Sequence, residues 1–503
     1  MAATTTTTPN FDPTKDADVV FIGGGPGGYT GAIRAAQLGA RVVAIEADNP
    51  GGTCLNWGCI PTKTMIGSAN ALHTLQHAKD FGLKAENVGY DFPALMARKE
   101  KVVSQFVGGV GMLWKKNKVR RVDGVGTILD PNTVEVKKAD GTTERITTSN
   151  IVISTGSVPA RLPIPGLAEE DVFVPNWEVK ARFQNKTLGS GAVWTSNEAT
   201  AAPKVPATMA IIGGGVIGCE FSFVYNSLGT KCTILEMQNR VLPLPSIDAD
   251  VSKELARVLK KQGVEIKTEV RVTRVEDKDG KKVVFYADAQ GAEQSVEAEV
   301  VLVSTGRIPF TEGLNLEAVG VKVGTETNRR AIPVNKKMQT NVPGIYAVGD
   351  VTGGGLAHTA MHEGLVAAAN ICGHDEEMDY KAVPSCVYTE PQVAAVGLSE
   401  QQAKERGYAV KTGTFPFRAL GYAAALGETD GFFKVIAEEK YGEILGVQII
   451  GAHATDLIHE AVVSIQLENT VEELMRTIHA HPTLAEGLGQ ANEDVRGLAT
   501  DKA

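Results

Sequence analysis

Cys54 and Cys59, in the stretch GGTCLNWGCIPTK that ends at Lys63, carry the most versatile chemistry in this chain. A thiol pair can hold a metal, sit inert in a core, or open and close a disulfide with transfer of two electrons. On an uninterrupted α-helix five residues advance about 7.5 Å and turn by about 500°, which leaves the two Cβ atoms roughly 140° apart. A disulfide needs Cα atoms within about 4.4–6.8 Å, so the pair can bridge only if Cys54 lies in a turn or a distorted first helical turn. Gly51, Gly52, Thr53 and Gly58 supply that looseness. An irregular helix start also brings backbone N–H groups that favour a thiolate. Metal binding needs further ligands, the usual CxxC spacing is missing, and no metal is expected. Inert thiols leave the small and polar neighbours unexplained, so a redox bridge is the preferred reading. Cys219, Cys232, Cys372 and Cys386 are isolated and read as small buried hydrophobes.

Two glycine motifs point to nucleotides. Gly23-x-Gly25-x-x-Gly28 follows the apolar run DVVFIG and opens an alanine-rich helix over 29–38; the next strand, RVVAI, ends at Glu46. Downstream, a strand over 209–213 leads into Gly213-x-Gly215-x-x-Gly218, a helix over 219–228 and a strand over 231–235 that ends at Glu236. Each acid lies 23 positions after the first glycine of its motif. Equal spacing in the same context argues for two copies of one nucleotide-binding unit, not for a ligand-free turn. The glycines permit a tight turn, approach of a pyrophosphate to bare amides and close helix packing, with the helix N-terminus facing the phosphates. Two dinucleotides in one chain imply hydride transfer between a bound flavin and a nicotinamide. Glu236 accepts a ribose diol and repels a 2′-phosphate, which favours NAD over NADP, although Arg240 stands four residues on.

The elements that must position these residues follow from periodicity. IVISTGSVP over 151–159 and VLVSTGRIP over 301–309 echo each other as strand, Thr-Gly turn and proline, the pattern expected where the chain leaves each nucleotide unit. Residues 162–207 read as a connector with room for one short helix. NVPGIYAVGD over 341–350 supplies another strand with an acid at its end, and 363–371 reads as helix. From Pro384 the runs FFKVIAE and EILGVQII read as strands of a mixed or antiparallel sheet, and 455–467 and 471–478 as helices. The expected fold class is α/β, with two Rossmann-like dinucleotide-binding domains and a C-terminal α+β domain. A length of 503 residues agrees with roughly three domains at about 150 residues each.

Charge and composition exclude other classes. Fifty Lys and Arg against 59 Asp and Glu give a formal net charge of −9, with no basic block, so nucleic acid is not an expected partner. No apolar run approaches the length of a membrane span. Residues 1–20 lack arginine and an apolar core of the signal-peptide kind, and the expected location is cytoplasmic.

Taken together and in order, GGGPGG, GGTCLNWGCIPTK, GGGVIGCE, the Gly349-Asp350 pair and HAHPTLAE make this sequence resemble the flavin disulfide oxidoreductases, most closely their dihydrolipoyl dehydrogenase branch, from Asp18 to about Gly497. The resemblance implies FAD and NAD as cofactors and oxidation of dihydrolipoyl groups carried by 2-oxoacid dehydrogenase or glycine cleavage proteins. It implies that Cys54 exchanges with the substrate and that Cys59 lies against the flavin as a charge-transfer thiolate. His481 becomes the general base and Glu486 the acid that orients it. Read alone, the His479–Pro482 segment is equally a turn between two helices; the family pattern assigns the chemistry to the histidine before proline. Lys63 is implied beside the reactive flavin nitrogen, paired with Glu220, and Asp350 on the ribityl chain, with Leu356, Ala357 and His358 closing around it. Gly126, Thr155, Gly156 and Ser157 join the implied FAD contacts, and Val270 and Gly306 those of NAD. The implied division is an FAD-binding domain over 17–160 and 309–380, an NAD-binding domain with connector over 161–308 and a dimerisation domain over 384–503. A homodimer with shared active sites follows, because the base comes from the other subunit.

Three departures from the family stand out. Seven residues, VTGGGLA, separate Asp350 from His358 where eight are usual; Trp57 replaces a small branched residue or arginine; and the connector over 162–207 is long. Glutathione-type reductases usually carry arginines for NADPH where Glu236 lies, and mercuric reductases end in a further cysteine pair, whereas this chain has no cysteine after Cys386. A redox-silent scaffold would have lost a redox residue, and none is lost.

Overall fold

The computed structural model describes residues 11–160, 162–167, 192–324 and 330–502. Its first sheet is built around Ala17–Ile22, whose six residues are all buried, as a parallel strand covered on both faces must be. This strand pairs in parallel with Val42–Glu46 on one side and with the C-terminal half of Thr143–Ile153 on the other. Arg120–Asp123 continues the sheet beyond Val42–Glu46, and Ile345–Ala347 adds to it beside Ile151. The return of residues 345–347 to the first sheet shows that the chain leaves this domain and re-enters it after the second.

The second sheet repeats the plan. Thr208–Ile212 lies between Lys231–Leu235 and Val300–Val303, all parallel, with Glu265–Lys267 and Val193–Trp194 at the edges. Each unit carries an antiparallel insertion: Val125–Asp130 and Thr133–Lys137 on the first half of Thr143–Ile153, and Arg271–Lys278, Lys281–Ala287 and Glu293–Ala298 in the second. The two echoed exits meet each other, Ser157–Pro159 pairing antiparallel with Arg307–Pro309.

The terminal domain is one antiparallel sheet in the order Ser385–Val387, Gln392–Gly397, Ile444–Gly451, Phe432–Glu438, Val410–Pro416. Ile444–Gly451 is buried throughout, and the helices Ala454–Gln466 and Glu486–Val495 share a core with the sheet that includes stacked Phe417 and Phe433. Lys434 fastens this domain to the second one, with its ammonium 3.0 Å from Asp248, 2.8 Å from Asp250 and 3.0 Å from Glu400.

Most of the expected connector, residues 168–191, lies outside the described residues. Its end holds a short helix, for which the connector reading left room, and a strand, which it did not include. Val193–Trp194 is an edge strand of the second sheet, and Ser196–Ala199 is a helical turn closed by a Thr195–Glu198 capping box. Among the described residues no helix is long and apolar enough to cross a membrane.

Candidate active site

The two glycine turns are nearly superimposable in their constraints. Gly23 and Gly213 have φ of +107° and +104°, a region that disfavours side chains. A Cβ on Gly28 or Gly218 would lie 2.0 Å from the carbonyl oxygen of Gly23 or Gly213, so both must be glycine for the helix to pack on its strand. At Gly25 and Gly215 a Cβ would instead meet open space, the nearest atom being the Gly52 Cα at 3.9 Å in the first copy. These two glycines are the N-caps of the helices Pro26–Gln37 and Val216–Ser227, and no side chain caps either end. Free helix N–H groups facing a space that a methyl would fill fit a pyrophosphate twice over. Ser154 and Ser304 repeat the match, each hydroxyl reaching the carbonyl of the first glycine, at 2.7 and 2.9 Å.

Glu46 accepts hydrogen bonds from the N–H groups of Gly24 (2.7 Å) and Asp48 (2.8 Å), and Glu236 from those of Gly214 (2.6 Å) and Gln238 (2.7 Å). Burial pushes Glu46 up to about 7 although both backbone donors pull the other way. Each acid therefore shapes its turn before any ribose arrives. Gly126 backs the first turn, where a Cβ would press on Ile22 at 3.1 Å, and buried Val270 donates its N–H to the Glu236 carbonyl.

Cys54 lies in the five-residue helix Gly52–Asn56, and Cys59 begins the long helix Cys59–Gln76. The helix is interrupted between them at Trp57 (φ −135°, ψ −9°) and Gly58 (φ −126°, ψ −101°), the irregular start that bridging requires. Gly52 at φ +55° packs directly on Gly25, which puts the cysteine turn against the first cradle. Both cysteines are free thiols that act on each other. Cys59 is drawn down, first by its interaction with Cys54 and then, against burial, by the Lys63 charge. Cys54 moves the opposite way, held protonated by Cys59 and by burial. The two thiols are thus pushed in opposite directions, and Cys59, at the helix start, is the one favoured as thiolate.

Lys63, one turn along the same helix, reaches Glu220 with Nζ at 2.7 and 2.9 Å from the two carboxylate oxygens. That ion pair joins the first nucleotide unit to the second. Asp350 accepts from the Ser157 hydroxyl at 2.5 Å, and the same hydroxyl receives Arg307 Nε at 2.8 Å. Thr155 donates to the Phe310 carbonyl at 2.5 Å, and Gly156 and Gly306 follow the two Ser-Thr pairs at φ of +73° and +109°. Leu356 caps the helix Ala357–Ile371, and the His358 ring lies 2.9 Å from the Pro384 carbonyl. Sequence reasoning missed Arg307 and Tyr388 here. Arg307 occupies the place in the second echo that Ser157 holds in the first, which was a readable signal; Tyr388 gave none.

His481 and Glu486 form a dyad in the terminal domain, Nδ1 to Oε1 at 2.8 Å, with Glu486 also accepting from the Thr483 N–H. Those bonds outweigh burial and hold Glu486 below the ordinary carboxylate range. The His481 side chain is 79% exposed, and its neighbour Ile478 is 96% exposed. His479 is different: partly buried, bonded to Glu460 at 2.9 Å and raised in pKa by that contact. Among the described residues no hydrogen bond or ion pair joins His481 to either cysteine.

Residues 17–364 match the pyridine nucleotide-disulphide oxidoreductase family, and residues 383–492 match that family's dimerisation domain. The chain belongs to this family. Within it, the sequence is 40% identical over 483 residues to the dihydrolipoyl dehydrogenase of Geobacillus stearothermophilus, covering 96% of this chain and 97% of that one. It is 39% identical over 479 residues to the mitochondrial dihydrolipoyl dehydrogenase of Pisum sativum, covering 94% and 90%. Among solved structures, LpdA from Mycobacterium tuberculosis superposes with a TM-score of 0.83 at 26% identity, over 95% of this chain and 99% of that one. The family match spans both glycine cradles and the cysteine turn, and its dimerisation domain contains His481 and Glu486.

Proposed function

We propose that this oxidoreductase is an NAD-dependent dihydrolipoyl dehydrogenase, with FAD in the cradle at Gly25, NAD in the cradle at Gly215 and the Cys54–Cys59 pair as its redox centre. The observation that carries the reading is the cysteine turn: Cys54 and Cys59 on either side of a break between two helices, with Lys63 one turn on paired to Glu220 and Gly52 packed on the first cradle. A dihydrolipoyl thiolate attacks the Cys54 sulfur of the oxidised pair, the Cys54–Cys59 bond breaks, and Cys59 leaves as thiolate. The second lipoyl sulfur then attacks the mixed disulfide, which closes the cyclic lipoyl disulfide and returns Cys54 as a thiol. His481 takes and keeps the proton of the first lipoyl thiol, the proton of the second lipoyl thiol passes to the departing Cys54 sulfur, and Glu486 fixes the tautomer of His481 and faces its positive charge. Lys63 holds negative charge on Cys59. Bound FAD supplies the two-electron relay between this dithiol and NAD, which restores the disulfide.

The exposed dyad, unconnected to the cysteines of its own chain, supports a homodimer in which each site combines Cys54 and Cys59 of one copy with His481 and Glu486 of the other. The substrate-bearing partners are then lipoyl carrier proteins of 2-oxoacid dehydrogenase or glycine cleavage systems. A cytoplasmic setting belongs to the same proposal, supported by the three buried unpaired thiols Cys219, Cys232 and Cys372, which suit a reducing compartment. Steady-state assay with lipoamide and glutathione disulfide, each with NADH and NADPH, tests the assignment. Turnover with lipoamide and NADH at a much higher kcat/KM is expected; preferential reduction of glutathione disulfide by NADPH would contradict it.

A further inference from the structure

The geometry points to Tyr388 as a positioning residue for the redox centre: its ring and backbone N–H, brought from the terminal domain of the same chain, hold the Lys63–Glu220 pair in place beside Cys59. The Lys63 ammonium lies 4.5 Å from the centroid of the Tyr388 ring, within the range of a cation–π contact. The Tyr388 N–H donates to Glu220 Oε1 at 3.0 Å, the oxygen that lies 2.9 Å from Lys63 Nζ. One residue therefore grips both members of the ion pair. It follows directly on the edge strand Ser385–Val387, which is anchored in the terminal sheet. Burial and the neighbouring Glu220 charge keep the phenol protonated, so it adds no competing anion beside the pair.

Lys63 is where this contact acts on chemistry, because its charge helps to draw Cys59 toward thiolate. The charged and titratable groups around Cys59 are Cys54, Lys63, Glu220, Arg307 and Tyr29. Lys63 ends a flexible side chain that is about a third exposed, and without the aromatic face the ammonium has only Glu220 to hold it. A less fixed ammonium stabilises the Cys59 thiolate less.

This inference rests on the proposed FAD reading. The test uses the holoenzyme reduced by two electrons and follows the thiolate charge-transfer absorption against pH in wild type, Tyr388→Phe, Tyr388→Leu and Tyr388→Met. Phe keeps the ring and backbone, and the midpoint should stay at the wild-type value. Leu and Met remove the ring, and the midpoint should rise by about half a unit or more. Met gives a second ring-free side chain, longer and more flexible than Leu, should Leu fail to bind FAD. An unchanged midpoint in the ring-free variants, or an equal rise in Phe, overturns the role of Tyr388. Absence of the band from wild type would instead overturn the FAD reading itself.

Discussion

At the scale of single residues, the account depends on an asymmetry between two thiols five positions apart. Cys54 and Cys59 differ because one opens a helix next to Lys63 and the other ends up as its hydrogen-bond donor. The asymmetry predicts distinct spectra for the two serine variants. Both Cys54→Ser and Cys59→Ser should lose lipoamide turnover, but only Cys54→Ser should keep a long-wavelength charge-transfer band, since Cys59 is the donor. In the reduced wild type that band should titrate with a midpoint below the ordinary thiol range, because the Cys59 thiol is drawn down and only the thiolate donates. Absorbance titration of the three proteins decides it; a band kept in Cys59→Ser and lost in Cys54→Ser would reverse the two roles.

Among the elements, the duplicated strand–turn–helix unit is the one proposed to bind both dinucleotides, and its glycines have separable jobs. Gly218→Ala pushes a methyl to 2.0 Å from the Gly213 carbonyl and forces the second helix off its strand while leaving the first cradle untouched. A displacement of about 1 Å at a binding turn costs on the order of 100-fold in catalysis. Stopped-flow measurement should therefore show reduction by NADH slowed about 100-fold, with reduction by dihydrolipoamide near normal; equal losses in both half-reactions would contradict the division of labour. These units were legible in the sequence because their information is local: a buried strand, a glycine spacing and an acid 23 residues on recur within short windows. The antiparallel terminal sheet was legible for the same reason, from runs such as FFKVIAE. Val193–Trp194 was not, since two residues carry no period and become a strand only by pairing with Val301 and Leu302 more than a hundred residues later. The insertion Arg271–Ala298 escaped because its strands are rich in exposed charge. Tyr388 reaches Lys63 only through the packing of three domains, which no local pattern encodes.

In the whole molecule these parts share one hydrophobic core, in which Met65 and Phe92 of the first unit meet Phe221 of the second and Val387 of the terminal domain, and polar contacts fix their register. Lys63–Glu220 ties the two nucleotide units, Tyr388 ties the terminal domain to both, and Lys434 with Asp248, Asp250 and Glu400 ties it again to the second. The His481–Glu486 dyad stands apart from these contacts, with His481 exposed, as the proposed shared site requires. His481→Gln alone should bind FAD and dimerise, yet lose about 10²–10⁴-fold in dihydrolipoamide oxidation, the usual worth of a positioned general base. The central claim is that a complete site needs two chains, and mixing His481→Gln with Cys54→Ser tests it most directly. Neither homodimer contains an intact site. After dissociation and reassociation a heterodimer would hold one site with both defects and one with neither. With about half of the dimers heterodimeric on random mixing, bulk activity should return to about a quarter of wild type. Activity that stays at the level of the parents, while native mass spectrometry shows heterodimers present, would contradict the shared site and place His481 and Cys54 in the same subunit.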